Sequence, residues 1–134
     1  VIDGLSNPIF IHVRRGDYLR LPNHHPVCSQ VYYGEAINYI GGNNVFLVFS
    51  DDISWCKETF KGSSFIFVEG TTDFEDLYLM SMCKNNIIAN SSFSWWGAWL
   101  NSNKNKKVVA PSKWFGSAIN HSTIDLIPKT WKII

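Results

Sequence analysis

The chain has 134 residues, 46% of them apolar and 15% aromatic, which is enough to bury one sizeable core and, at this length, points to a single domain. A formal net charge of +1 excludes a general polyanion binder, so nucleic acid is not an expected partner and any phosphate recognition must be local. Three cysteines, Cys28, Cys56 and Cys83, without C-x-x-C spacing argue against a disulfide framework and a zinc site, and no apolar run approaches the ~18 residues of a membrane span.

The chain opens at Val1 without a methionine or a charged-then-apolar leader, and is expected to be a piece of something longer. The first predicted strand, Ile9–Val13, delivers Arg14, Arg15, Gly16 and Asp17 to one turn. A planar guanidinium offers a rigid fork of donors that matches phosphate oxygens, so a pyrophosphate is the natural guest for the arginines just past the carboxyl end of the strand. The plainer alternative is that Arg14 pairs with Asp17 and both decorate a surface turn. The irregular stretch 19–27, with Pro22, His24, His25 and Pro26, is expected to form a lip over the site.

Ser29 caps a predicted helix carrying Tyr33, Ala36, Ile37 and Ile40 on one face, with Gly41 and Gly42 as its stop. A second strand, 45–49, leads into Ser50, Asp51 and Asp52. A carboxylate there can accept the paired N–H donors of guanine, although Ser and Asp before a helix toward Phe60 are also ordinary caps. After a third strand, 65–68, Thr72 and Glu75 have the form of a capping box. The helix it opens, 73–84, is apolar on most sides and is expected to be largely buried.

A fourth strand, 86–89, is followed by Asn90, Ser91 and Ser92 and by helical composition from Phe93 onward. Hydroxyl residues at a strand-to-helix turn make a second anion cradle at the positive end of the helix dipole, while Trp95, Trp96 and Trp99 are expected to pack. Beyond a fifth strand, Val108–Ala110, only a Trp114 and Phe115 anchor and a closing Trp131 are assigned. Strands alternating with helices of about ten residues imply an α/β fold, a Rossmann-like parallel sheet covered on both faces, with the three strand-end clusters on one rim.

In this order, and along nearly the whole chain, HVRRGDY, FSDD, DLYLMSMCKNNIIANSSFSWWGAWLN and APSKWF closely resemble glycosyltransferase family 11, the α-1,2-fucosyltransferases. The H-x-R-R-x-D element is shared with α-1,6- and protein O-fucosyltransferases, whereas NSSFSWWGAWL belongs to the α-1,2 group. The resemblance implies a two-domain GT-B fold whose C-terminal half binds GDP-fucose, with residues 1–134 as that donor-binding domain and a missing N-terminal half supplying most acceptor contacts. By similarity, Arg14 takes the β-phosphate, Arg15 supports the fold of the motif, and His12 with Asp51 or Asp52 contacts the guanosine. Ser91 and Ser92, next to Asn90, hold phosphate from the helix side, and Asp76 reaches the nucleotide or orients Arg14.

The reaction implied is transfer of L-fucose from GDP-β-L-fucose to the 2-hydroxyl of a galactose-terminated glycan, with inversion. Fixed cations and a helix N-terminus stabilise the departing GDP, so no metal or other cofactor is expected. Asp17 and His25 are the candidates for the base, with a purely structural Asp17 as the competing reading. The alternative function is a GDP or GDP-fucose-binding module without transfer activity of its own. Cysteine usage and richness in Ile, Asn and Lys suggest a bacterial cytoplasmic protein, with membrane association as an option and the Golgi lumen as the alternative for an animal source.

Overall fold

The computed structural model describes residues 8–134. Strand β1 (Ile9–Val13) is buried at every position and lies at the centre of the sheet, because both of its faces are covered and an apolar run is what such a strand requires. It is followed by a 3₁₀ turn (Asp17–Arg20), α1 (Gln30–Ile40), β2 (Phe46–Ser50), α2 (Ile53–Thr59), β3 (Phe65–Phe67), α3 (Asp73–Ser81), β4 (Asn85–Ile87), α4 (Ser92–Trp99), β5 (Val108–Ala110) and β6 (Lys132–Ile133). The six strands run in the order β3-β2-β1-β4-β5-β6, and every neighbouring pair is parallel.

Alternation along β1 divides the core in two. Ile9, Ile11 and Val13 meet Tyr33 and Ala36 of α1 and Cys56 of α2 on one face. Phe10, with Leu47 and Phe49 of β2, meets Met80 of α3 and Ala98 of α4 on the other. The chain moves outward from β1 through β2 to β3 and then returns to place β4 on the opposite side of β1. Connections leaving β1 and β4 therefore diverge, and a crevice opens at their carboxyl ends, the place where open α/β sheets bind ligands.

Local chemistry sets the element ends as expected. The Ser29 hydroxyl accepts from the Tyr32 amide at 3.1 Å, and Gly41 and Gly42 end α1 with φ of 68° and 80°, a conformation that costs glycine little. Thr72 and Glu75 form the complete capping box.

Three expectations are corrected. The helix after Thr72 ends at Ser81 and is not buried all round: Phe74, Tyr78 and Met82 are 79%, 58% and 53% exposed, because α3 lies on the outside of the sheet and turns only Met80 fully inward. Trp95 packs, donating from Nε1 to the Leu126 carbonyl at 2.8 Å, but Trp96 and Trp99 lie about half in solvent. The unassigned tail contributes a sixth strand, β6, paired in parallel with β5.

Candidate functional site

The two arginines leave β1 toward different partners. Arg15 turns to α2, where its Nε lies 3.3 Å from Asp52 Oδ2 and its guanidinium carbon stands 4.2 Å from the centre of the Trp55 ring. Asp52 is held in turn by the Trp55 amide, which donates to Oδ1 at 3.2 Å, so it is both the cap of α2 and the counter-ion of Arg15. The Arg15 backbone N–H donates to Asp51 Oδ1 at 2.9 Å. Gly16 makes this approach possible, since a Cβ there would lie 2.5 Å from Asp51 Oδ2.

Arg14 stays at the rim. Its Nη2 donates to Asp17 Oδ1 at 2.9 Å, its Nε lies 3.2 Å from Asp51 Oδ2, and its guanidinium carbon is 5.0 Å from the Tyr18 ring centre. Partial burial opposes the charge, but the Asp17 hydrogen bond and the charges of Asp17 and Asp51 outweigh it and raise the Arg14 pKa above its ordinary value. The same hydrogen bond holds Asp17 below the usual carboxylate range. The surface-turn pairing of Arg14 with Asp17 is thus real, and it lies at the crevice.

His12 is 5% exposed, its ring is 5.7 Å from that of Phe93 at the start of α4, and its Nδ1 has no hydrogen-bond partner. Burial, aided by the charge of Arg14, pushes its pKa down to about 3, so the imidazole is neutral.

Tyr18 joins the two sides of the crevice. Its ring lies beside Arg14, and its hydroxyl donates to the Asn90 carbonyl at 2.9 Å, linking the turn after β1 to the turn after β4. Asn90 is 1% exposed, and its side-chain amide donates to the carbonyls of Pro26 at 2.8 Å and Trp114 at 3.1 Å. The amide ties three segments together, its Oδ1 facing the Cys28 thiol at 3.6 Å, so its side-chain polar atoms are engaged within the protein. The Ser91 hydroxyl is also occupied, accepting from the Phe93 amide at 3.3 Å as the cap of α4. Ser92 is exposed on the first turn of α4, so the free hydroxyl of the second cradle is its own.

Asp76 does not reach Arg14. It accepts from the Thr71 hydroxyl, and burial raises its pKa against that bond. His25 stacks on Tyr18 with ring centres 4.9 Å apart, one ring removed from Arg14, and the lip segment is anchored where the Gly116 amide donates to the His24 carbonyl at 2.9 Å. A cavity of about 410 Å³ lies elsewhere, between the start of α1 and the ends of β5 and β6. Cys28, Tyr32, Glu35 and Pro111 line it, and Arg14, Asp51 and Ser92 do not.

Sequence reasoning placed Gly16 and Tyr18 in the motif without giving either a role, and missed Trp55. The signal for Tyr18 is its place in the motif directly after Asp17, on the 3₁₀ turn that follows the arginines. Trp55 three residues after an aspartate cap is indistinguishable from any helix residue.

Residues 2–133 match the sequence model of glycosyl transferase family 11. The chain is 47% identical over 120 residues to the O-antigen biosynthesis glycosyltransferase WbnK of Escherichia coli, covering 82% of this chain and 40% of that protein. It is 43% identical over 137 residues to an alpha-1,2-colitosyltransferase of Escherichia coli, covering 94% of this chain and 47% of that protein. Over 101 residues it is 32% identical to the human galactoside alpha-(1,2)-fucosyltransferase 1, covering 67% of this chain and 28% of that protein. The chain thus spans less than half the length of each of these relatives. No solved structure gives a match.

Proposed function

The chain belongs to glycosyltransferase family 11, and from that premise we propose that it is the donor-binding half of a GT-B enzyme that transfers L-fucose from GDP-β-L-fucose to the 2-hydroxyl of a galactoside with inversion. The observation that carries this reading is the bridge made by Tyr18, beside Arg14 at one end and bonded to the Asn90 carbonyl at the other. It brings the guanidinium and the start of α4 to a single crevice between β1 and β4.

A diphosphate seated there meets the Arg14 fork on one side and the Ser92 hydroxyl with the α4 N-terminus on the other. Negative charge grows on the diphosphate as the bond to the anomeric carbon breaks, and these fixed groups stabilise it without a metal. Neutral His12, whose Nδ1 has no partner, is the group left to meet the guanosine; Asp51 is engaged by the Arg15 amide and Arg14, and Asp52 by the Arg15 side chain and the Trp55 amide. The acceptor binds largely against the N-terminal half of the enzyme.

Calorimetry of the chain with GDP, UDP and ADP tests the donor reading: GDP is expected to bind most tightly, and indifference to the base would remove the guanosine assignment. A transfer assay on the complete enzyme separates transfer from binding alone. The similarity to an alpha-1,2-colitosyltransferase supports a second reading, in which the transferred sugar is colitose, a fucose lacking its 3-hydroxyl. Side-by-side turnover with GDP-fucose and GDP-colitose decides between the two sugars.

A further inference from the structure

The Nε and Nη2 edge of Arg14 is already taken. Its Nη2 and Nε both point at Asp17 Oδ1, at 2.9 and 3.3 Å, and Nε also reaches Asp51 Oδ2 at 3.2 Å. The same Nε and Nη2 edge is one of the two donor pairs with which a guanidinium grips a phosphate bidentately, and a ligand that takes it displaces a carboxylate.

The two carboxylates are not equally displaceable. Asp51 is fixed through its other oxygen by the Arg15 amide at 2.9 Å and is wedged against Gly16. Asp17 is 46% exposed, lies on a four-residue 3₁₀ turn, and makes its side-chain hydrogen bonds to Arg14. Exposed pairs of this kind are weak, whereas a diphosphate brings more charge and more acceptor oxygens to the same fork.

We infer that Asp17 is the exchangeable partner of Arg14: the diphosphate of the donor takes its place on the guanidinium, and the released carboxylate accepts the proton of the attacking acceptor hydroxyl. The inference rests on the donor-site reading above. While paired with Arg14, with Arg20 also nearby, Asp17 is a poor base. Released, it loses that partner and gains a polyanion as neighbour, and both changes raise its affinity for a proton.

The bonds balance without a further reactant. The acceptor oxygen bonds to the anomeric carbon, the carbon–oxygen bond to the β-phosphate breaks with its electron pair leaving on the phosphate oxygen, and the hydroxyl proton passes to Asp17. Arg14 compensates the charge on the leaving group. The base is thereby switched on by the donor, and the donor binds before the acceptor reacts.

Asp17→Asn tests this because exchange predicts effects of opposite sign on binding and turnover. GDP affinity of the chain, measured by calorimetry, is expected to rise about 2- to 5-fold as the competing carboxylate is removed. Turnover of the complete enzyme is expected to fall about 10²- to 10⁴-fold, the usual contribution of a general base, and Asp17→Glu is expected to recover part of it. Unchanged or weaker GDP binding by the Asn variant overturns the exchange. Tighter binding with turnover within about threefold of wild type, far from the usual loss of a general base, overturns the base assignment. Failure of the wild-type chain to bind GDP removes the donor reading itself, and the exchange with it.

Discussion

Arg14 and Arg15 are neighbours of the same chemical type with separable duties, which makes them a direct test of how side-chain surroundings divide function from stability. Arg14 is a third exposed and held by two rim carboxylates, whereas Arg15 is 18% exposed, stacked on Trp55 and bound to the cap of α2. Arg14→Ala is therefore expected to abolish transfer and to weaken GDP binding at least about tenfold, the scale of charge-assisted hydrogen bonds. Its melting temperature should hardly move, since exposed ion pairs contribute little. Lysine at position 14 lacks the fork and should rescue little. Arg15→Ala, by contrast, is expected to lower unfolding free energy by about 1–2 kcal/mol through the lost cation–π contact and the unpaired Asp52. Urea titration and GDP calorimetry on the two alanine variants check both halves, and a shared loss of binding with unchanged stability would undo the division.

At the scale of elements, α4 is placed by what it lacks. A Cβ on Gly97 would lie 2.9 Å from the Cβ and Sδ of Met80, so the close approach of α4 to α3 depends on a bare backbone at that position. Gly97→Ala is expected to destabilise the fold by about 1–3 kcal/mol through overpacking, despite the better helix propensity of alanine. A urea midpoint at or above wild type would show that Met80 yields freely. Contacts of this kind explain what was and was not legible in the sequence. Ser29, Asp52 and the Thr72 and Glu75 pair mark their helix starts because a cap is made within four residues. The exposure of Phe74, Tyr78 and Met82 could not be read the same way, since apolar content does not say which flank of a helix has a neighbour. β6 went unassigned because two residues carry no period, and its pairing with β5 is decided by the fold. The contacts of Asn90 were illegible for a similar reason: its sequence neighbours are hydroxyls, but its partners, Pro26 and Trp114, are remote in the chain.

The molecule as a whole converts strand order into a site. Alternating strands and helices announce a parallel sheet, and clusters at Arg14, Asp51 and Ser91 announce chemistry at strand ends, but only the return of the chain to the far side of β1 makes β1 and β4 neighbours at a crevice. Because the charges facing that crevice are side chains and a helix end, transfer by the complete enzyme is expected to persist in excess chelator; loss of turnover restored by a divalent cation would contradict this. The same central strand carries the pH response. His12 has a pKa of about 3 when folded against 6.5 as its ordinary value, so between those values the unfolded chain binds a proton that the folded one refuses. Stability is complete above about pH 6.5 and falls as pH drops toward 3, by up to roughly 4–5 kcal/mol for this one group. Asp17 and Glu75, whose folded pKa values are lowered by hydrogen bonds from Arg14 and Thr72, add to the loss on the same acid side. The His12 share is accordingly read as a difference: His12→Gln should show a shallower fall in urea midpoint between pH 7 and pH 4 than wild type, and parallel curves would mean that burial of the neutral imidazole does not govern the acid limit of this fold.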